Sequence, residues 1–455
     1  MIFLLAGGTP LWAAEAPAVS AKAPNPSLAK PDSPPQTAGP AAEKSSVVLV
    51  NQLVREALKA NPDLKAAESR WQMNERKVIP AGTLTDPQLS FDFSNYPINS
   101  FAGDKTPMTG KDLKLSQKFP FPGKLAARGN MAEEQAQWYR HAYRDQRLQL
   151  VQKVKDAYYR LYFREKAIAI TKDNLGIMAD FIRLTETKYQ VGTGLQQDVL
   201  KAQVERSKLM DKLLTLKQQR ETALADLNTL LARPTTTPLG PLPKLEMTPV
   251  RTPAAALQKQ SKGHRPLYAA YRALVARFKA QRKLAKLDYW PDFNVWAGYR
   301  FREDVPGDPE RGTDFASVGV TINLPVFLKK RHEQVAEADS GIRMALRQYA
   351  GFRDKVYFGI QDAYAQMKKD RHLVELYEKG IIPQAEQSYN SAISGYQVGK
   401  VDFLTLMDNL LTLFRYRIDS FRALTDYQRD VARLEATSGV TLVPSPPGSS
   451  PESAH

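Results

Sequence analysis

Tyr189-Gln190-Val191-Gly192-Thr193-Gly194-Leu195 runs on through Asp198-Val199-Leu200, and the same pattern returns as Tyr396-Gln397-Val398-Gly399-Lys400-Val401-Asp402, running on through Leu404-Thr405-Leu406-Met407-Asp408. The copies stand about 207 positions apart, Tyr189 against Tyr396. Each lies between two long stretches of helical periodicity. Glycine after a helical run accepts the left-handed backbone that ends a helix, at no steric cost. Asp198 and Asp402 fall where the next helix begins, and a carboxylate there suits the exposed N–H groups. Each copy therefore predicts the tip of an antiparallel helical hairpin, with Tyr189, Gly192, Gly194, Tyr396 and Gly399 at the turns.

Working outward, other landmarks repeat in the same order. Asp86-Pro87-Gln88-Leu89-Ser90-Phe91 answers Trp290-Pro291-Asp292-Phe293-Asn294-Val295, and Lys114–Pro120 answers Gly319–Pro325. Three ordered matches point to a duplication. The predicted division is a signal-like segment 1–16, a Pro/Ala-rich disordered linker 17–46, a first repeat 47–234, a Pro-rich connection 235–253, a second repeat 254–438 and a disordered tail 439–455. Met1–Trp12 is a short apolar run followed by small residues, as in a secretory signal.

Within each repeat the period changes. Leu49–Ile79 is helical in pattern, with Asn61 as the expected cap of a helix starting at Pro62 and Pro80 as the expected end. Then Leu89, Phe91 and Phe93 alternate with polar residues, as do Leu113, Leu115 and Phe119. The second repeat gives Phe293, Val295, Tyr299 and Phe301 on one strand and Val318, Val320, Ile322 and Leu324 on its partner. Strands of this length, apolar on one face and polar on the other, suit a tilted crossing of a bilayer. Pro120 and Pro122 ahead of Lys124, and Pro325 ahead of Lys329-Lys330-Arg331, read as stiff strand-to-helix corners with cations at a membrane boundary.

The following helices are very long. Leu125–Tyr189 holds no proline and would span roughly 100 Å if continuous. Apolar residues recur in steps of four and three from Leu150 to Tyr189, a coiled-coil seam. Its return runs from Val199 to Leu230 and ends at Arg233-Pro234. In the second repeat the pattern covers Arg331–Tyr396 and Phe403–Ser438, with a break or kink expected near residue 382 because of Pro383.

The 455 residues contain no cysteine and carry a net charge of +16. That composition removes disulfides, thiolate metal sites and a catalytic cysteine. His141, His264, His332, His372 and His455 stand at no metal-ligand spacing, and no phosphate-binding glycine motif occurs. No enzyme, no cofactor and no metal are expected. Basic and acidic residues interleave along the helices, which argues for a solvated coiled-coil exterior rather than nucleic-acid binding. No apolar run of about 20 residues exists to cross a membrane as a helix.

Two copies of strand pair, basic corner, long hairpin and Tyr-x-x-Gly tip resemble the TolC family of outer-membrane efflux proteins, over about residues 47–438. The resemblance implies a mainly α fold with a membrane β-barrel portion. Each protomer would give four strands to a shared twelve-stranded barrel in the outer membrane, and its helical hairpins to a periplasmic tunnel, in a homotrimer. Four strands in lipid leave two open edges, so several chains must close one barrel. The implied function is the passive duct of a tripartite efflux or secretion system, working with a periplasmic adaptor and an inner-membrane pump. A periplasmic coiled-coil adaptor or scaffold without a barrel is the alternative. By the same resemblance Tyr396 maps to a gate tyrosine and Asp408 to one aspartate of the narrowest ring, with Asp198 and Asp402 as further gate candidates. The other ring position is Thr405, and an expected arginine is Val401.

Overall fold

The computed structural model describes residues 46–442. The signal-like segment, the Pro/Ala-rich stretch up to residue 45 and the chain beyond 442 lie outside the described residues. The element order repeats. In the first half α1 (Ser46–Ala60), α2 (Pro62–Glu75) and α3 (Val78–Gly82) precede β1 (Gln88–Ser94), β2 (Gly110–Phe119), α4 (Lys124–Gln190) and α5 (Gln196–Leu230). In the second, α6 (Ala254–His264) and α7 (Pro266–Leu287) precede β3 (Phe293–Phe301), β4 (Phe315–Ile322), α8 (Leu328–Leu376), a π-helical turn (Tyr377–Ile381), α9 (Ile382–Gln397) and α10 (Phe403–Ser438).

Local chemistry explains most of these ends. Asn61 accepts from the Leu64 N–H at 3.1 Å and caps α2, whose first residue is proline. Pro80 does not stop the chain's helical course. It sits in the first turn of α3, where a missing N–H costs nothing. Near Pro383 the expected irregularity takes the form of a widened turn and not a full break. Helical structure continues through it to Gln397, but the preceding turn widens to a π-turn. The extra residue moves aside the carbonyl that the ring would strike.

The four strands form one antiparallel sheet in the order β1-β2-β3-β4. The central pairing joins the repeats: Leu113 opposes Tyr299 and Leu115 opposes Ala297. Register puts Leu89, Leu115, Ala297 and Val318 in one cross-strand row, and Phe91, Leu113, Tyr299 and Ala316 in the next. The opposite face carries Ser90, Lys114, Gly298 and Ser317, then Asp92, Asp112, Arg300 and Phe315. Period two thus gives the sheet one apolar and one polar side.

α4 is the central strut. It packs on α5, α7, α10 and α2. Its seam holds at Leu150, Val154, Ala157, Leu161, Ile168, Thr171, Met178 and Thr185, all buried. Tyr158, Tyr162 and Phe163 are buried off the seam, because α4 is covered on more than one side there. Each of the buried Leu, Val, Ile, Met and Phe side chains contributes about 1.5–3 kcal/mol through burial.

Two segments outside the repeats are packed. Residues 235–253 have no regular structure, yet Leu245 and Val250 are buried. The Leu245 N–H donates to the Tyr162 hydroxyl at 3.0 Å, Gln428 donates to the Glu246 carbonyl at 2.6 Å, and the Tyr427 hydroxyl donates to the Thr248 carbonyl. The connection is a strap tied to both repeats. After α10, Gly439 takes φ 75° and ends the helix, and Val440 and Leu442 pack on the core of the second repeat. Residues 439–442 therefore do not belong to a disordered tail.

Candidate functional site

The two hairpin tips are built alike. After α4, Gly192 has φ 74° and its N–H donates to the Tyr189 carbonyl at 3.0 Å. The Thr193 and Gly194 N–H groups both donate to the Lys188 carbonyl at 2.9 Å. After α9, Gly399 has φ 73°, and the Lys400 N–H donates to the Gly395 carbonyl at 2.8 Å. Gly192 and Gly399 are required by backbone conformation, and open space surrounds both. Gly194 is required by crowding instead: a Cβ there would lie 2.9 Å from the Lys188 Cβ. Val191, Leu195, Val398 and Leu404 are exposed at the tips.

The tips differ in their tyrosines. Tyr189 is 48% exposed, whereas Tyr396 is 5% exposed. Tyr396 lies in a core with Met178, Phe181, Phe403 and Leu406. The Lys188 Nζ sits 4.1 Å from its ring centroid and donates to its carbonyl at 2.7 Å. Phe403 packs at 5.8 Å between centroids. Lys188 was not singled out from the sequence. Its one signal is a cation in the last turn of α4, one of many along these helices. Within the described residues the Tyr396 hydroxyl makes no hydrogen bond, so the ring holds this position. Burial, and then the nearby charge of Asp198, push its phenol up from the usual range.

Asp402 caps α10. Its Oδ1 accepts from the Thr405 N–H and its Oδ2 from the Thr405 hydroxyl, each at 2.8 Å. Those bonds hold its carboxyl below the usual range. Thr405, which replaces an expected ring aspartate, thus serves the cap. Val401, in place of the expected arginine, packs against Gly395, where a Cβ would meet its Cγ2 at 2.5 Å. Asp198 is not the cap of α5; that position is Leu195, without a side-chain bond. It lies in the first turn, where burial raises its carboxyl, the Leu195 backbone opposes, and Asp402 raises it further. The structure therefore brings Tyr396, Asp198 and Asp402 into one neighbourhood. Asp408 stands apart, exposed, about 9 Å further along α10.

At the sheet, Val295, Tyr299, Phe301, Val318, Val320 and Ile322 are exposed on the apolar face. Phe293 is on that face and half-buried; Leu324 lies past the end of β4 and is exposed. On the polar face Arg300 reaches Asp112 at 2.7 Å, and Lys114 lies 4.3 Å over the Trp296 ring. The ring leaves no room for a side chain at Gly319.

The corners join strands to the long helices. Pro120 and Pro122 lead to Gly123 at φ 92°, and Phe121 stacks on Trp290 at 5.2 Å. Lys124 is not a boundary cation in solvent. It is 2% exposed and bonds to the Trp290 carbonyl at 3.0 Å and the Asp292 carboxylate at 2.8 Å. Pro325 precedes α8, where Lys329 and Lys330 are exposed.

A family model described as outer membrane efflux protein matches residues 53–233 and 257–440. The chain is 22% identical over 411 residues to the cobalt-zinc-cadmium resistance protein CzcC of Cupriavidus metallidurans, covering 88% of this chain and 92% of that protein. It is 23% identical over 407 residues to the outer membrane efflux protein BepC of Brucella suis, covering 87% and 86%. Among solved structures, the outer membrane protein VceC of Vibrio cholerae superposes with a TM-score of 0.72 at 19% identity, covering 86% of this chain and 96% of that one.

Proposed function

The chain belongs to the outer membrane efflux protein family, and on that premise we propose that three copies form one duct, fed from the periplasm by an adaptor and an inner-membrane pump. One observation carries this reading: a four-stranded sheet whose outer strands, β1 and β4, each lack a partner on one side among the described residues. An outer-membrane channel must satisfy every backbone group in lipid, so β4 of one copy pairs with β1 of the next. Three copies give twelve strands, enough for an aqueous lumen where a single sheet gives none. The face bearing Val295, Tyr299, Val318 and Val320 meets lipid, and the face bearing Lys114, Asp112 and Arg300 lines the lumen.

The hairpins then form the periplasmic tunnel, with the exposed tip residues Tyr189, Val191, Leu195 and Val398 as the adaptor's footing. The neighbourhood of Tyr396, Asp198 and Asp402 controls the entrance. Asp408 faces the axis, where three-fold symmetry gathers three carboxylates and favours cations. Planar-bilayer recording of the purified protein tests the duct. Discrete, weakly cation-selective conductance with divalent block, and loss of that block in Asp408→Ala, is the expected result. A detergent-free soluble monomer without conductance would overturn it.

A further inference from the structure

Two acids meet inside the seam between α8 and α10. Asp370 lies between Met367 of one core and Val374 of the next, and Asp430 lies beside Tyr427 and Val431. They are 3% and 9% exposed, and their carboxyls stand within hydrogen-bonding reach of each other. Two ionised carboxylates cannot share such a site; one proton between them turns repulsion into a hydrogen bond.

The surrounding charges relieve the pair only in part, Arg433 opposing the rise at Asp430. Lys369 of α8 lies 2.9 Å from Asp370 at the solvent side. Arg433 of α10 is paired with Asp362 of α8 at 2.8 Å. Asp426 adds a negative charge one turn before Asp430 and is engaged by Arg429, which also holds Asp156 of α4 at 2.6 Å. Lys155 of α4 pairs with Glu435 of α10. Burial first, and Asp370 next, push the Asp430 carboxyl up to about 7.

The position matters as much as the chemistry. The π-turn at Tyr377–Ile381 begins two helical turns beyond Asp370, and none of its residues is buried. α9 continues from that turn to the tip that carries Tyr396. π-turns inside long helices recur at places where a helix changes course.

We propose that Asp370 and Asp430 form a proton-set clamp that holds α8 to α10 just above the π-turn and so governs how freely α9 moves. With the shared proton in place the seam is closed. Without it the carboxylates repel, and the π-turn and α9 open more often. The sign follows from the raised carboxyl. The closed seam keeps a proton that a separated aspartate would release near 3.8, so the clamp is strongest in acid and weakens as pH rises through about 7. The clamp does not depend on the duct reading, because its test is local opening and not transport.

Amide exchange of the full-length protein, followed in peptides spanning residues 371–397 and corrected for the intrinsic pH dependence of exchange, reads that opening. Between about pH 6 and pH 8 the corrected rate should rise roughly tenfold, because over the one pH unit below about 7 the closed seam still holds the proton that the open seam has already lost. Asp430→Asn, whose amide donates to Asp370 at every pH, should abolish the rise, and Asp370→Asn should do the same. Peptides from α5 should show no rise. A flat profile in the unaltered protein would overturn the clamp, and so would an unchanged rise in both variants.

Discussion

The two hairpins share a pattern and differ in build. In the first, α4 runs unbroken for 67 residues, and its tip leaves Tyr189 in solvent. In the second, the descending helix is divided by a π-turn, and its tip buries Tyr396 under Lys188 and against Phe403. α5 starts without a side-chain cap, whereas Asp402 caps α10 with two bonds. Duplication supplied two struts, and divergence made one of them jointed. The jointed one also carries the buried acids and the covered tyrosine, so its movement is opposed at two points and permitted between them.

The largest effect should come from the tyrosines. Tyr396→Ala should cost about 3–5 kcal/mol at its tip, the range for deleting a buried ring. Tyr189→Ala should stay within about 0.5 kcal/mol. Amide exchange in peptides 382–414 against 178–204 measures both, and equal responses would erase the contrast. The sheet should show no such asymmetry. Leu115→Arg in the first repeat and Val320→Arg in the second should each cost about 2–4 kcal/mol per protomer if both face lipid. The fraction of heat-modifiable oligomer on a gel checks this, and one tolerated substitution would break the equivalence. Gly192→Val and Gly399→Val place a β-branched residue at positive φ and should cost about 1–2 kcal/mol alike. Crosslinking to a co-expressed adaptor would then show which tip the adaptor uses.

The smallest effect is a response to acid. The lowered Asp402 contributes stability above its unfolded value near 3.8 and loses it as pH falls through its folded value. The raised Asp198 does the opposite: its contribution is complete below its unfolded value and falls as pH rises through its raised one. Acidification should therefore tighten the start of α5 as pH falls towards 3.8 and loosen the start of α10 only below that. Exchange of the two tips, followed side by side, reads the opposed trends.

These contrasts explain what the sequence could disclose. Gly192, Gly399 and Asp402 announce helix ends because their chemistry is local. The strands are legible because their faces alternate at every second residue. Tyr189 and Tyr396 look identical in the chain, and only the packing of α4 on α10 separates them. Lys124 reads as a boundary cation because Asp288 and Asp292, which bury it, come more than 160 positions later. Asp370 and Asp430 read as solvated charges for the same reason. Residues 235–253 look like a linker because their prolines hide how deeply Leu245 is set.

That strap also imposes an order on the making of the molecule. Tyr162, which receives the Leu245 N–H, is synthesised before the strap; Gln428 and Tyr427, which satisfy Glu246 and Thr248, come almost last. Until α10 exists, two carbonyls of the strap have no protein partner at the sites they will occupy. The belt can be threaded early but buckled only at the end. A chain interrupted before α10 would carry both sheet halves and most of the long helices and still lack the closure that makes two repeats into one body.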